Sequence, residues 1–182
     1  MSQFFYSDQI FNDTIVLSED EANHAIKVLR KHQGDNLIVV DGLGGWYRTA
    51  LDNENIKDCR LKIIEKKENY NKPSQHIHIA IAPTKSHDRI EWFIEKSIEI
   101  GIQEITFIFS HHSERSNVKF NRIKKRSISS MKQSLKAYIP KINDIISFQT
   151  FIENCSNKEK YIGYLGDSNR KSLSSISNPG SN

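Results

Sequence analysis

Between residues 76 and 110 the spacing of apolar positions changes twice. HIHIAIA, residues 76–82, alternates polar and apolar, the period of a strand with one buried face. From His87 the spacing turns helical: Ile90, Phe93, Ile94, Ser97 and Ile98 recur three and four apart, and Gly101 follows as a natural helix terminator. EITFIF, residues 104–109, is then almost wholly apolar. Strand, helix and strand in so short a span predict a parallel pair joined by a crossover. A second helix is predicted over about 121–138, stopping before Pro140, and YIGYL (161–165) as a third strand. The Ser- and Asn-rich stretch that follows reads as loop or disorder.

Residues 1–71 follow a different pattern. TIVL, NLIVVDG, WYRTALD and CRLKIIEKK are short strand-like pieces, with one helix among them. Ser18 and Glu21 have the spacing of a capping box at its start. The helix should run to about Lys31, with Gly34 ending the turn beyond it. DGLGGW reads as a tight loop in which Gly42, Gly44 and Gly45 allow unusual dihedrals. Several strands around one helix predict a small β-barrel. The polar KKENYNKPS, with Pro73, is the natural boundary, dividing the chain into 1–71 and 72–182 in an overall α/β fold.

Composition adds a location and a partner. No apolar run approaches the ~20 residues of a membrane span. MSQFFYSDQIF lacks the basic start and apolar core of a signal peptide. Cys59 and Cys155 stand in no ligand-like spacing, so a reduced, cytoplasmic setting is expected. The net charge of +4 is modest, but eight Lys or Arg and no acid fall within residues 119–143. Such a block points to a polyanion.

Candidate chemistry lies in three helices and one loop. The loop after the first strand of the βαβ unit, APTKSHDR, has no glycine to bring backbone up to a phosphate; it offers Lys85, His87 and Arg89 instead. On the barrel helix, Ala22, Ala25, Ile26 and Leu29 share a face, while His24, Lys27 and Lys31 lie opposite, flanked by Arg30. That polar stripe is either a solvated face or a phosphate-contacting ridge. In the βαβ helix, Trp92 and Lys96 are spaced for a cation–π contact, Glu95 and Glu99 for repulsion, and Glu99 sits unfavourably at the negative end of the helix dipole. On the basic helix, Arg122, Lys125, Arg126, Lys132, Gln133 and Lys136 fall opposite Phe120, Ile123, Met131, Ser134 and Tyr138. A wholly cationic outer face suits RNA or DNA backbone, since ordinary surfaces mix signs. His76, His78, His111 and His112 lack a third ligand at a sensible spacing, so no metal is expected.

Taken in order, these stretches resemble the bacterial 16S ribosomal RNA uridine-N3 methyltransferases. NHAIKVLRKHQGD resembles their H-x-x-x-V-L-R…G element. PTKSHDRIEWFIEKSIEIGIQEI is similar to their K…W-x-x-x-K-x-x-E-x-G signature, through Lys85, Trp92, Lys96, Glu99 and Gly101. Arg115 and Ser116 match an Arg-Ser pair, and Gln133, Ser134 and Pro140 a Q-S-x-x-x-x-x-P segment. The resemblance implies a PUA-like barrel that holds RNA, followed by a SPOUT-type α/β domain with a parallel sheet, knotted around S-adenosylmethionine and dimeric. It implies RNA contacts at His24, Lys27, Arg30, Lys31, Lys85, Arg89, Lys96, Arg115, Ser116, Arg122, Lys125, Arg126, Gln133 and Ser134. The reaction would need no metal. Glu99 is the candidate base, with a group further along the family's chain as the alternative. The family's G-P-E-G and R-x-L-R-x-E-T-A cofactor segments do not occur in these 182 residues. The knot domain is therefore expected to be incomplete, with only Tyr164 and Leu165 against the cofactor by position. The expected activity is methylation of a 16S uridine by the full-length protein. The alternative is a non-catalytic RNA- or ribosome-binding module retained after loss of the knot.

Overall fold

The computed structural model describes residues 3–111, 113, 117–157, 159–163 and 172–177. Its first part is a six-stranded sheet built from β1 (Phe4–Tyr6), β2 (Ile10–Phe11), β3 (Thr14–Leu17), β4 (Asn36–Val40), β5 (Trp46–Leu51) and β6 (Cys59–Lys67). The spatial order is β1-β4-β5-β6-β3-β2, with β1 parallel to β4 and the other pairs antiparallel. Alternation along β3 and β5 turns Ile15, Leu17, Tyr47 and Leu51 inward, where they meet Leu37, Val39, Cys59 and Leu61. Ala22 and Ala25 of the helical segment complete this core. Burial holds the Cys59 thiol up at about 11, so it stays protonated and inert.

That helical segment is shorter and less regular than its sequence predicts. Helix α1 (Glu19–Asn23) starts with the Glu21 amide donating to the Ser18 hydroxyl, one half of the capping box, while the Glu21 carboxylate accepts from the Tyr6 amide and pairs with Lys132. It then loosens into a π-helical turn over His24–Val28, with the Leu29 amide donating to the His24 carbonyl. The wider turn breaks the 3.6-residue period. Leu29, predicted to face the core, is 37% exposed, and Arg30 takes a left-handed φ of 54°. Lys31 therefore lies beyond the helix.

The second part is the parallel sheet β7 (His78–Ile81), β8 (Glu104–Phe109), β9 (Lys141–Ser147), in that order. Helix α2 (His87–Ile100) links the first two strands and ends on Gly101 at φ 97°. Helix α3 (Phe120–Gln133) links the second pair. Both helices cover one face of the sheet, around Ile90, Ile94, Ile98, Ile105, Phe107, Ile123 and Met131. The third strand is β9, not YIGYL: Tyr161–Gly163 are irregular, and Tyr164 and Leu165 lie outside the described residues. Helix α3 stops at Gln133, short of the predicted 138, and Leu135 follows at φ 54°. Helix α4 (Phe148–Asn154) follows β9, and Leu173–Ile176 form a helical turn (α5) in the stretch expected to be loop.

The two parts meet through the β4–β5 loop. Asp41 holds this loop in shape, accepting from the Leu43 and Gly45 amides at 2.7 and 2.8 Å and from the Tyr47 hydroxyl at 3.2 Å. Burial and that carboxylate push Tyr47 up to about 12. The loop then pairs with the segment after α3: the Gly44 amide donates to Ala137, and the Ile139 amide to Gly42, each at 2.8 Å. Tyr70 donates its amide to Gly44 and stacks on Trp46 at 5.7 Å. Phe4 and Val40 of the barrel are buried in the α/β core, continuing the seam. Gly44 has φ 102°, and a Cβ there would run into the Tyr138 ring. Gly44→Ala is therefore expected to cost about 1–3 kcal/mol, combining strain with a lost contact. A chemical-denaturation midpoint at the wild-type value would contradict this account of the seam.

Candidate nucleic-acid interface

The C-terminal ends of β7 and β8 open into a cleft of about 640 Å³, lined by Pro83, Lys85, Ser86, Arg89, Ser110 and Ser113 among others. This is the end of a parallel sheet where α/β proteins place ligands. Of the three side chains expected in this loop, Lys85, His87 and Arg89, the first and last come together here. Arg89 makes no ion pair among the described residues. Ser86 precedes α2 without a side-chain capping bond, so the helix's leading amides add their positive end to the cleft wall. His87 turns instead into the narrow gap between the two helices, beside Asn117 and Lys119.

Helix α3 corrects the expectation of a wholly cationic outer face. Arg122 and Arg126 turn towards α2, where they enclose Glu91, only 8% exposed. The Glu91 Oε1 meets the Arg122 guanidinium at 2.5 Å as a charge contact without hydrogen-bond alignment. Its Oε2 lies 3.4 Å from Arg126, which also reaches Glu95 at 3.5 Å. Lys132 pairs with Glu21 of the barrel helix. Lys136, beyond the helix end, no longer shares the face. Ser134 spends its hydroxyl on the Ser130 carbonyl at 2.7 Å, while Gln133 is exposed. The cations left outward on α3 are Lys124 and Lys125, with Lys119 just before its start; none has an ion-pair partner among the described residues. The sequence reading missed Glu91. Its signal was an acid bordering the apolar face of α2, opposite a helix with no acid of its own.

The axis of α3 gives this arrangement its reach. One end contacts α2 beside the cleft through Arg122, and the other contacts the barrel helix through Lys132. The ten steps from Arg122 to Lys132, at 1.5 Å each, carry the helix about 15 Å between them. On the barrel, Lys27 and Arg30 are exposed, and Lys31 is half-buried. His24 is held against Phe5 and bonds the Gln3 side chain at 2.7 Å.

Along the outside of α2, Lys96 binds both oxygens of Glu99 at 2.9 Å and Glu95 at 3.1 Å. Those hydrogen bonds, Glu99 first, hold the Lys96 ammonium above its ordinary value. The predicted Trp92–Lys96 contact does not form, and the predicted Glu95–Glu99 repulsion is bridged by Lys96. Trp92 is 63% exposed. Glu99 stands ten residues from Arg89, about 15 Å along the helix, so the structure does not bring it to the cleft. Arg115, Ser116, Tyr164 and Leu165 lie outside the described residues.

The other face of the sheet carries a polar network. His78 bonds Thr106 at 2.7 Å, and Asn143 donates to Glu104 and Thr106, each at 2.8 Å. Burial depresses His78 against the opposing pull of Glu104. Burial alone would raise Glu104, but hydrogen bonds from Asn143 and Lys141 outweigh it and hold the carboxyl below the usual range. His76 also approaches Glu104, at 3.5 Å. Among the described residues no group of three or more His, Cys, Asp or Glu side chains is arranged to hold a metal ion. No helix among them is long and apolar enough to cross a membrane.

Comparison with known proteins places this geometry in a family. Residues 71–181 match the RNA methyltransferase domain model, and residues 17–64 the RNA methyltransferase PUA domain. The chain is 27% identical over 165 residues to the Buchnera aphidicola protein named ribosomal RNA small subunit methyltransferase E, covering 87% of this chain and 65% of that one. A probable rRNA methyltransferase from Porphyromonas gingivalis superposes with a TM-score of 0.77 at 40% identity, over 82% of this chain and 63% of its own. The Neisseria gonorrhoeae ribosomal RNA small subunit methyltransferase E, solved with S-adenosyl methionine, shares the fold: TM-score 0.73 at 21% identity, over 85% and 66%. The chain thus spans about two thirds of the length of these relatives. With a matched model covering more than half its residues, the chain belongs to the RNA methyltransferase domain family, with a PUA domain ahead of it.

Proposed function

We propose that this chain is the RNA-holding part of an S-adenosylmethionine-dependent methyltransferase acting on N3 of a uridine in 16S ribosomal RNA. The observation that carries this reading is the track of cations. It begins at Lys85 and Arg89 in the cleft, continues over Lys119, Lys124 and Lys125, and is carried by α3 to the barrel's helical segment, with Lys27 on it and Arg30 and Lys31 just beyond its end. Phosphates along a strand would meet cations in both parts. The proposed division is 1–71 for the barrel and 72–182 for the methyltransferase domain. The proposed setting is the cytoplasm, with the small ribosomal subunit as partner and a homodimer as the working state.

The donor, when bound, supplies an electrophilic methyl group on a sulfonium. The described cleft does not fit it, because a sulfonium is itself positive and Lys85 and Arg89 face that space. The cleft fits the phosphates of the acceptor. Cofactor contacts are proposed at Tyr164 and Leu165. Of the other positions implied by resemblance, Gln133, Lys96, Arg115 and Ser116 stay in the proposed RNA surface. Arg122 and Arg126 serve mainly by holding Glu91, and Ser134 by closing α3. Glu99, engaged by Lys96 away from the cleft, is left out of the proposed chemistry.

Lysine and arginine on α3 should then behave differently when removed. Replacing Lys124 and Lys125 by Ala is expected to flatten the slope of log affinity against log salt by about 1.4, at roughly 0.7 per single-strand phosphate contact, with unchanged stability. Replacing Arg122 and Arg126 by Ala should instead lower stability by about 3 kcal/mol, because Glu91 is left buried and unpaired. Salt titrations of binding beside denaturant melts check both. Equal behaviour of the two pairs would refute the partition.

The reaction itself is tested with the protein expressed from its complete coding region. Small subunits lacking the modification are incubated with methyl-labelled S-adenosylmethionine, and the RNA is digested to nucleosides for mass spectrometry. The expected product is 3-methyluridine in 16S RNA, with Arg89→Ala reducing the yield at limiting RNA. Label in another nucleoside, or in large-subunit RNA, would overturn the assignment.

A further inference from the structure

Trp92 is used neither by the core nor by the ion pairs around it. It stands 63% exposed on α2, while Glu95 and Lys96, its neighbours towards the helix end, are paired with each other. Lys96, the cation best spaced to cover the ring, is held by Glu95 and Glu99. Glu95 is further neutralised by Arg126 at 3.5 Å. Among the described residues the Trp92 ring makes no aromatic or cation contact, unlike Trp46, which lies between Tyr70 and Lys67. Leaving a large indole in water forgoes the burial and ring contacts that Trp46 obtains in part.

Its position says what would cover it. Arg89, on the cleft wall, is three residues earlier on the same helix, which sets the two side chains about 60° apart around the axis and about 4.5 Å along it. A strand whose phosphate is held by Lys85 and Arg89 would have its adjacent base within reach of the indole. Cation beside open aromatic is the recurring arrangement for single-stranded nucleic acid, with the backbone on the charge and a base on the ring.

We propose that Trp92 is a stacking platform for an unpaired RNA base next to the Lys85–Arg89 cleft. This rests on the RNA reading above and adds to it a base contact outside the cation track. The charge around the ring favours this occupant over a second copy of the chain. On the cleft side Lys85 and Arg89 offer cations to phosphate, while the nearby acids Glu95 and Glu99 are bridged by Lys96 and Asp88 lies 3.9 Å from Arg122.

The test compares two short single-stranded oligoribonucleotides of equal phosphate count, one with ordinary bases and one abasic at successive positions. The wild-type protein should bind the base-bearing strand about 5- to 100-fold more tightly, the range of one stacked base. Trp92→Leu should bring that strand down to the abasic affinity with the salt slope unchanged, and Trp92→Phe should retain most of the preference. Trp92 emission, read in a Trp46→Phe background, should be quenched only by the base-bearing strand. Undiminished discrimination in Trp92→Leu would overturn the proposal and leave the RNA reading standing. Failure of the wild type to bind either strand would overturn both. A Trp92→Leu protein that binds RNA normally but has lost self-association in sedimentation would assign the ring to a second copy instead.

Discussion

The placement of the barrel's cations relative to the cleft depends on a short backbone pairing between the barrel's β4–β5 loop and the chain just after α3. Two amide–carbonyl bonds, Gly44 to Ala137 and Ile139 to Gly42, fix the loop against that segment. Each such bond is worth only about 1 kcal/mol net. Their importance is geometric. The paired segment is the one that turns the chain from α3 into β9, so the seam sets where the helix ends and where the third parallel strand begins. Phe4 and Val40 then close the apolar side of the same junction. A barrel tethered only by residues 68–77 would leave its basic helix at a variable distance from the cleft. Docked in this way, it is tied to α3 by Lys132 and Glu21.

The charges on α3 show why counting cations overstates an interface. Residues 119–143 carry eight, and five of them, Arg122, Lys125, Arg126, Lys132 and Lys136, read as one outward face until the neighbouring helix is in place. Arginine and lysine then part company. The two arginines clamp one buried carboxylate, Glu91, a role for which the planar, weakly hydrated guanidinium is better suited than an ammonium. Lys124 and Lys125 stay in solvent, where mobile ammonium groups suit phosphate contact without a fixed register. The basic helix thus brings a structural brace on one side and a polyanion-facing edge on the other.

Legibility in the sequence followed locality. The barrel strands 14–17 and 59–67 were readable to the residue, as were α2 and β8, because each is marked by its own apolar spacing or run and α2 also by the terminator Gly101. The π-helical turn was not, since no period marks an extra residue before it is folded, and it moved Leu29 out and Arg30 beyond the helix. Strand β9 was overlooked because KINDIIS mixes its apolar positions with Asn143 and Asp144, though a strand was due after the second crossover helix. At the site, Lys85 and Arg89 were legible from a loop without glycine. The burial of Glu91, the seam through Gly44 and the bridging of Glu95 and Glu99 by Lys96 all depend on side-chain packing that spacing alone does not show.

The central claim is that one RNA lies across both parts of the chain at once. Hydrogen–deuterium exchange, with and without a small-subunit ribosomal RNA fragment, tests it most directly. The account predicts that residues 24–31 of the barrel, the loop 82–89 and the start of α3 at 119–125 gain protection together and at the same RNA concentration. Protection confined to the barrel, or to the α/β part, would contradict it.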